Sequence, residues 1–343
     1  MISSQLQRIS IEGFKSIERL EDFELRPLNV LIGANGSGKS NFVDCFRMLR
    51  AMADERLANF VREGGGADTF LFGGPKVTGE IIIRFRAHET DWAYSFQPSL
   101  GGDLHVTTYR SWIMAEPSWT DSLGWVIYHF HDTSNTAGMR REHSVRDFRE
   151  LRSDASNLAA FLFWMKSAAP VDYRRIRQTV QVIAPFFDDF LLEPESKGPN
   201  EVIRLEWRQK GTDYPFQPWQ LSDGTIRFIC LVTALLQPEL PMLIVIDEPE
   251  LGLHPFALDL LVSLVKEAAQ KTQIVLSTQS PALLSGFDPE DVVVVQRSGG
   301  ASQFLRLDGA SLRDWLDDYT LGELVQKNVI EAGPSEISVV GRP

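Results

Sequence analysis

Eight residues, Gly33-Ala34-Asn35-Gly36-Ser37-Gly38-Lys39-Ser40, follow the apolar run Val30-Leu31-Ile32 without a break. Their glycines admit backbone angles closed to other residues, so successive N–H groups can converge on one anion. A helix opening directly after such a loop adds the positive end of its dipole. Lys39 then suits a bridge between the β- and γ-phosphates of a nucleotide, and the Ser40 hydroxyl suits Mg2+. The nucleotide-binding set read this way is Gly33, Asn35, Gly36, Ser37, Gly38, Lys39, Ser40 and Asn41.

A phosphate loop alone leaves kinases, GTPases and ATPases open, so a second acidic site decides more. Leu243-Ile244-Val245-Ile246-Asp247-Glu248 is an apolar run ending in two carboxylates. Asp247 suits the metal alongside Ser40, and Glu248 suits a general base that polarises the attacking water without being consumed by the metal. ATP and Mg2+ are the expected cofactors.

The elements that must hold these residues read as an alternation of strand and helix. Residues 7–32 form short strands, and the spacing of Phe42, Phe46, Leu49, Met52, Leu57 and Phe60 predicts one helix from Asn41 to about Arg62, stopped by Gly64-Gly65-Gly66. Period-two segments at Glu80–Arg86, Trp92–Gln97, His105–Ile113 and Trp125–Phe130 predict an antiparallel sheet. Residues 141–190 read as helix, with Leu158, Phe161, Leu162 and Met165 on one apolar face; Arg146, Arg149 and Arg152 align on one side of it. Buried strands LIVIDE and QIVLSTQ, each next to a helix, imply a parallel sheet covered on both faces. The expected fold is α/β, with residues 1–135 and 201–343 forming two parts of one nucleotide-binding head and 136–200 an inserted helical lobe.

Leu221-Ser222-Asp223-Gly224-Thr225, 26 residues before Asp247, resembles the LSGGQ-type signature of ABC ATPases. Glu248 to Pro255 (EPELGLHP) and Ser277-Thr278-Gln279-Ser280-Pro281 resemble the segments after the second acidic motif and at the switch in RecF-like and overcoming-lysogenization-defect-like ATPases. Ile11 to Ile17 (IEGFKSI) resembles the first strand of these proteins and of the chromosome-maintenance ATPases. The resemblance implies an ABC-ATPase head with a mixed sheet and an antiparallel β subdomain. It implies that Ser222, Asp223 and Gly224 complete the site of a second subunit, hence a head-to-tail homodimer around two nucleotides, or a higher assembly built on it. Gln279 stands where the family usually has a histidine, so catalysis by Glu248 and Gln279 is expected to be slow. Gln97 has no motif around it, and the glutamine that couples the lid to nucleotide stays unassigned. About 60 residues follow the switch, too few for the Toprim nuclease of related chains, so a separate effector or nuclease protein is expected.

Composition narrows the setting. A net charge of −12 over 343 residues argues against coating nucleic acid by bulk electrostatics, although residues 139–178 carry nine Arg or Lys against five Asp or Glu and offer a contact for DNA or a partner protein. The longest apolar runs are too short to span a bilayer, and MISSQLQRISIEG has no leader pattern, so a cytoplasmic location without membrane contact is expected. Cys45 and Cys230 sit in apolar helical patterns as buried thiols, His129 and His131 lack a third metal ligand, His254 shapes the turn after the acidic pair, and Trp112, Trp119 and Trp125 are packing residues of the β region. Three functions fit: an ATPase gating a DNA-processing or antiphage effector, an ATP-dependent scaffold with little turnover, and a transporter's nucleotide-binding subunit. The roughly 180 residues between phosphate loop and signature weigh against the last.

Overall fold

The structure is a computed structural model describing residues 5–87, 90–99, 101–111 and 124–330. Trp112, Trp119 and the tail from 331 lie outside the described residues. The chain forms two compact units: residues 1–127, 241–248 and 269–343 make one, and 128–240 with 249–268 the other.

The chain opens with β1 (Leu6–Phe14), β2 (Ile17–Glu24) and β3 (Leu28–Ile32), followed by α1 (Lys39–Ala53), α2 (Leu57–Glu63), β4 (Ile81–Ala87), β5 (Thr90–Pro98), β6 (Leu104–Ser111) and β7 (Trp125–Tyr128). An antiparallel sheet of order β2-β1-β4-β5-β6 accounts for most of the period-two segments. The last of them, β7, leaves that sheet and becomes an edge of a different one, so the expected single antiparallel sheet is one strand shorter. The helix expected over 41–62 is two helices. Glu55 takes a left-handed φ of 58°, Arg56 N–H donates to Ala51 O (2.7 Å) and Glu55 N–H to Met52 O (3.1 Å). This is a helix-ending αL turn built without glycine, which conceals it from a reading of breakers.

The second unit runs through β8 (His143–Ser144), α3 (Leu158–Ala168), α4 (Pro170–Ile183), β9 (Phe187–Leu191), β10 (Glu195–Lys197), β11 (Asn200–Ile203), β12 (Glu206–Gln209), β13 (Pro215–Phe216) and α5 (Asp223–Leu236). Residues 145–157 are not helical, so Arg146, Arg149 and Arg152 do not share a helix face. The buried Asn157 holds this segment as a loop: its amide donates to Asp147 O and Glu150 O, and its Oδ1 accepts from Arg152 N–H. Several cations of the stretch are engaged within the unit, Arg152 with Asp147, Arg175 with Glu267 and Arg177 with Asp189. Leu158, Phe161, Leu162 and Met165 are buried on α3, the face their spacing predicts.

After β14 (Leu243–Asp247), α6 (Pro255–Ala268) belongs to the second unit. β15 (Gln273–Thr278), α7 (Pro281–Leu284), β16 (Val292–Ser298), β17 (Ala301–Arg306), α8 (Gly309–Leu316) and α9 (Leu321–Gln326) complete the first. The central sheet has the order β17-β16-β3-β15-β14-β7, with β16, β3, β15 and β14 parallel and β17 antiparallel to β16. Its interior strands are buried along almost all their length, and on one face Leu31, Val245, Val275, Val293 and Val295 share a core with α1 and the antiparallel sheet, in which Phe42 and Phe46 of α1 meet Phe23, Phe304 and Trp125. Cys45 on α1 and Cys230 on α5 are fully buried, and burial pushes both thiols far above the ordinary cysteine value. Among the described residues no helix is long and apolar enough to cross a membrane.

Candidate nucleotide-binding site

Register within the central sheet gathers three motifs. Ile32 pairs with Thr278 across β3 and β15, and Ser277 pairs with Asp247 across β15 and β14. The residues that follow, Gly33, Gln279 and Glu248, therefore leave the carboxyl ends of three adjacent parallel strands, the edge where open α/β sheets place their ligands.

Gly36 and Gly38 adopt φ of 78° and 113°, and Gly38 is the residue from which α1 starts. A Cβ on Gly33 would lie 2.1 Å from the Val295 carbonyl oxygen, so glycine is required there by space. Helix α1 has neither a side-chain cap nor an acidic residue in its first turn, which leaves its positive end undiluted. Lys39 is buried and its ammonium donates to Gly33 O (2.7 Å) and Ala34 O (3.1 Å), holding the cation within the loop. The buried Ser37 Oγ has no hydrogen-bond partner among the described residues. Ser40 is exposed beside it, whereas the Asn41 amide donates to Ser16 Oγ at 2.6 Å. Glycines of positive φ in the loop, a positive helix end, a buried ammonium and an orphan hydroxyl fit a nucleotide's phosphates.

Asp247 accepts a hydrogen bond from Ser277 Oγ, and Arg47 Nη2 stands 3.6 Å from its Oδ2. Arg47 is tethered in turn through Asp44 (2.8 Å), which also pairs with Lys15 (2.6 Å). This ion network was not read from the sequence: Lys15 comes from the first-strand motif and Arg47 from the interior of a helix, and only the fold joins them to Asp247. Glu248 has a left-handed φ of 45°, unusual for a side chain of its size, and its N–H donates to Ser277 O (2.9 Å). Its Oε1 accepts from the Gln279 side-chain amide. Glu248 and Gln279 thus form one contact pair next to the loop strand.

In the second unit Ser222 caps α5 by accepting from Thr225 N–H (3.1 Å), and Leu221 is buried while Ser222 and Asp223 face solvent. Gly224 packs against the 249–254 turn so closely that a Cβ would sit 2.3 Å from Gly252 O. Two buried arginines brace this corner. Arg140 donates to the Pro218 and Leu221 carbonyls and to Asp223 (2.7 Å), and Arg227 to Phe130, His131 and Leu251 carbonyls. Burial lowers the Arg227 pKa against the pull of Asp223. Replacing Arg227 with alanine strands the buried Phe130 carbonyl and frees the part-buried His131 and Leu251 carbonyls, and is expected to cost about 1–3 kcal/mol, read as a lower thermal midpoint, whereas Arg227→Lys recovers only part of it because an ammonium cannot reach all three. His254 Nδ1 accepts from Phe256 N–H (3.3 Å), so its ring shapes the start of α6.

A glycine-rich strand–loop–helix, an acidic strand end and Gln279 on adjacent parallel strands, with an antiparallel subdomain in the same unit, make up the fold of an ABC-type ATPase head. The chain belongs to the family described as "AAA domain, putative AbiEii toxin, Type IV TA system", whose model matches residues 28–285. The fold is similar to that of an Smc head bound to the C-winged helix domain of ScpA, with 14% identity, a TM-score of 0.63, and coverage of 91% of this chain and 99% of that one. It is likewise similar to an Smc head with an extended coiled coil bound to the C-terminal domain of ScpA derived from Pyrococcus furiosus, with 14% identity, a TM-score of 0.56, and coverage of 92% and 99%. No curated protein matches the chain.

Proposed function

We propose that this chain binds ATP with Mg2+, closes into a homodimer around it, and uses slow hydrolysis to time the action of a separate effector protein. The observation that carries the reading is the meeting of Gly33–Ser40, Asp247, Glu248 and Gln279 at one edge of the central sheet. In this reading the loop amides and Lys39 hold the phosphates, Ser40 and Asp247 take the metal, and Glu248 orients and deprotonates the attacking water. Bound Mg2+ supplies charge neutralisation at the phosphates. Ser222, Asp223 and Gly224 serve the site of the opposite subunit: Ser222 and Asp223 are exposed, and α5 opens beside them.

Gln279 supports the slow-turnover form of the proposal, because an amide can hold Glu248 in place but cannot take its proton. The effector reading is supported by the family description, which concerns a toxin–antitoxin system, and by the Smc heads of the same fold, which are bound to ScpA. The 139–178 segment is the proposed contact for that partner or for DNA. Light scattering with and without ATP, together with phosphate release, tests the core of the proposal. A doubling of mass with ATP and Mg2+ is expected, with turnover of about one per minute or slower; a monomer that binds no ATP overturns it.

A further inference from the structure

We propose that Ser302, on β17, is a positioning residue of the phosphate loop, acting as the last link of a one-way hydrogen-bond chain that begins at Asn41. Four polar groups from three distant parts of the sequence line up behind the loop. Asn41 Nδ2 lies 2.6 Å from Ser16 Oγ, Ser16 Oγ 2.6 Å from Ser302 Oγ, and Ser302 Oγ 2.6 Å from the Ser37 carbonyl oxygen. The direction of the chain follows from its ends. An amide nitrogen can only donate and a carbonyl can only accept, so Asn41 donates to Ser16, Ser16 to Ser302, and Ser302 to Ser37 O. Both serines are buried, which makes an unsatisfied member costly, and linked donors in a low-dielectric interior strengthen one another.

The last link matters because of where it lands. The peptide joining Ser37 to Gly38 is planar and trans, so a carbonyl anchored on one side sends the Gly38 N–H to the other. Ser302 therefore sets the orientation of a loop amide without touching what that amide binds. A second backbone tie, Ser302 N–H to Ser16 O at 2.7 Å, keeps the hydroxyl in register. Space is equally tight: a Cβ on Gly38 would lie 2.0 Å from Ser302 Oγ, so Gly38 is glycine both for its φ of 113° and for this contact. Ser16 and Ser302 lie outside residues 28–285, so the floor of the loop is supplied by the first two strands' turn and by the closing hairpin rather than by the matched segment.

The consequence for affinity rests on reading Gly33–Ser40 as the nucleotide loop; the consequence for the loop itself does not. Hydrogen exchange on the nucleotide-free chain and calorimetry with ADP separate the two. In Ser302→Ala and Ser16→Ala, amides 36–41 should exchange up to about tenfold faster, the double variant adding no more than about twofold because either change breaks the same chain. ADP affinity should fall about three- to tenfold in the same variants and recover in Ser302→Thr, which keeps the donor. Circular dichroism verifies the fold, and Ser16→Ala carries the test if Ser302→Ala does not fold. Unchanged exchange in the folded single variants, or a double variant equal to the product of the two, overturns the positioning role. Faster exchange in a chain that binds no ADP upholds that role while refuting the nucleotide reading.

Discussion

Glu248→Gln is expected to lower steady-state phosphate release on the order of 100-fold or more while leaving ATP affinity within about threefold. The substitution isolates one property. Glutamine has the same length, its side-chain oxygen can still accept from Gln279 Nε2, and the backbone tie from residue 248 N–H to Ser277 O does not involve the side chain. What disappears is the capacity to take a proton from water, and with it the general-base contribution. Asp247, the residue proposed for the metal, keeps its bond from Ser277 and its approach to Arg47. Binding should therefore persist where hydrolysis stops, and an ATP-dependent dimer should live longer in the variant than in the wild-type chain. Phosphate release and dimer lifetime measured on one preparation check this. Equal turnover in both would remove Glu248 from the base role, and a joint loss of ATP binding would show that the carboxylate serves the ground state instead.

How far the sequence could be read depended on whether a feature is made by neighbours in the chain. The strand-loop-helix at 28–53 was legible because glycine spacing, the apolar strand and the following helix are contiguous, and parallel pairing of β14 with β15 followed from two apolar runs joined through a helix. The end of α1 was not legible, since Glu55 performs a turn that glycine usually marks. The loop before α3 was hidden for a different reason. Its arginines have helical spacing, but Asn157 binds three backbone groups of the segment and offers it an alternative to helix. Least legible were the supports of the candidate site. Ser16 and Ser302 are 286 residues apart, and Lys15, Asp44 and Arg47 look like ordinary surface charges until the fold brings them to Asp247. Motifs expose the groups proposed to face the ligand, whereas the groups that hold them depend on long-range packing.

Mixing two inactive variants should restore hydrolysis if the site is shared between chains. Lys39→Ala removes the ammonium that bridges Gly33 and Ala34 carbonyls and is expected to weaken ATP binding about 100-fold or more, a charge-assisted contact to phosphate being among the strongest available. Ser222→Arg leaves the phosphate loop untouched and places a bulky cation at the exposed start of α5, where Ser222 caps the helix. Each variant alone forms only dimers whose two sites are both defective. In a mixed dimer, the phosphate loop of the Ser222→Arg chain meets the intact signature of the Lys39→Ala chain, so one of its two sites is whole. Random pairing makes half of the dimers mixed, and recovery approaches about a quarter of wild-type turnover if the two sites fire independently. A site contained within one chain predicts no recovery at any ratio, because neither variant would then possess an intact one. The mixing curve also distinguishes coupling between the sites: recovery well below a quarter, with full ATP occupancy of the whole site, means that closure requires nucleotide at both.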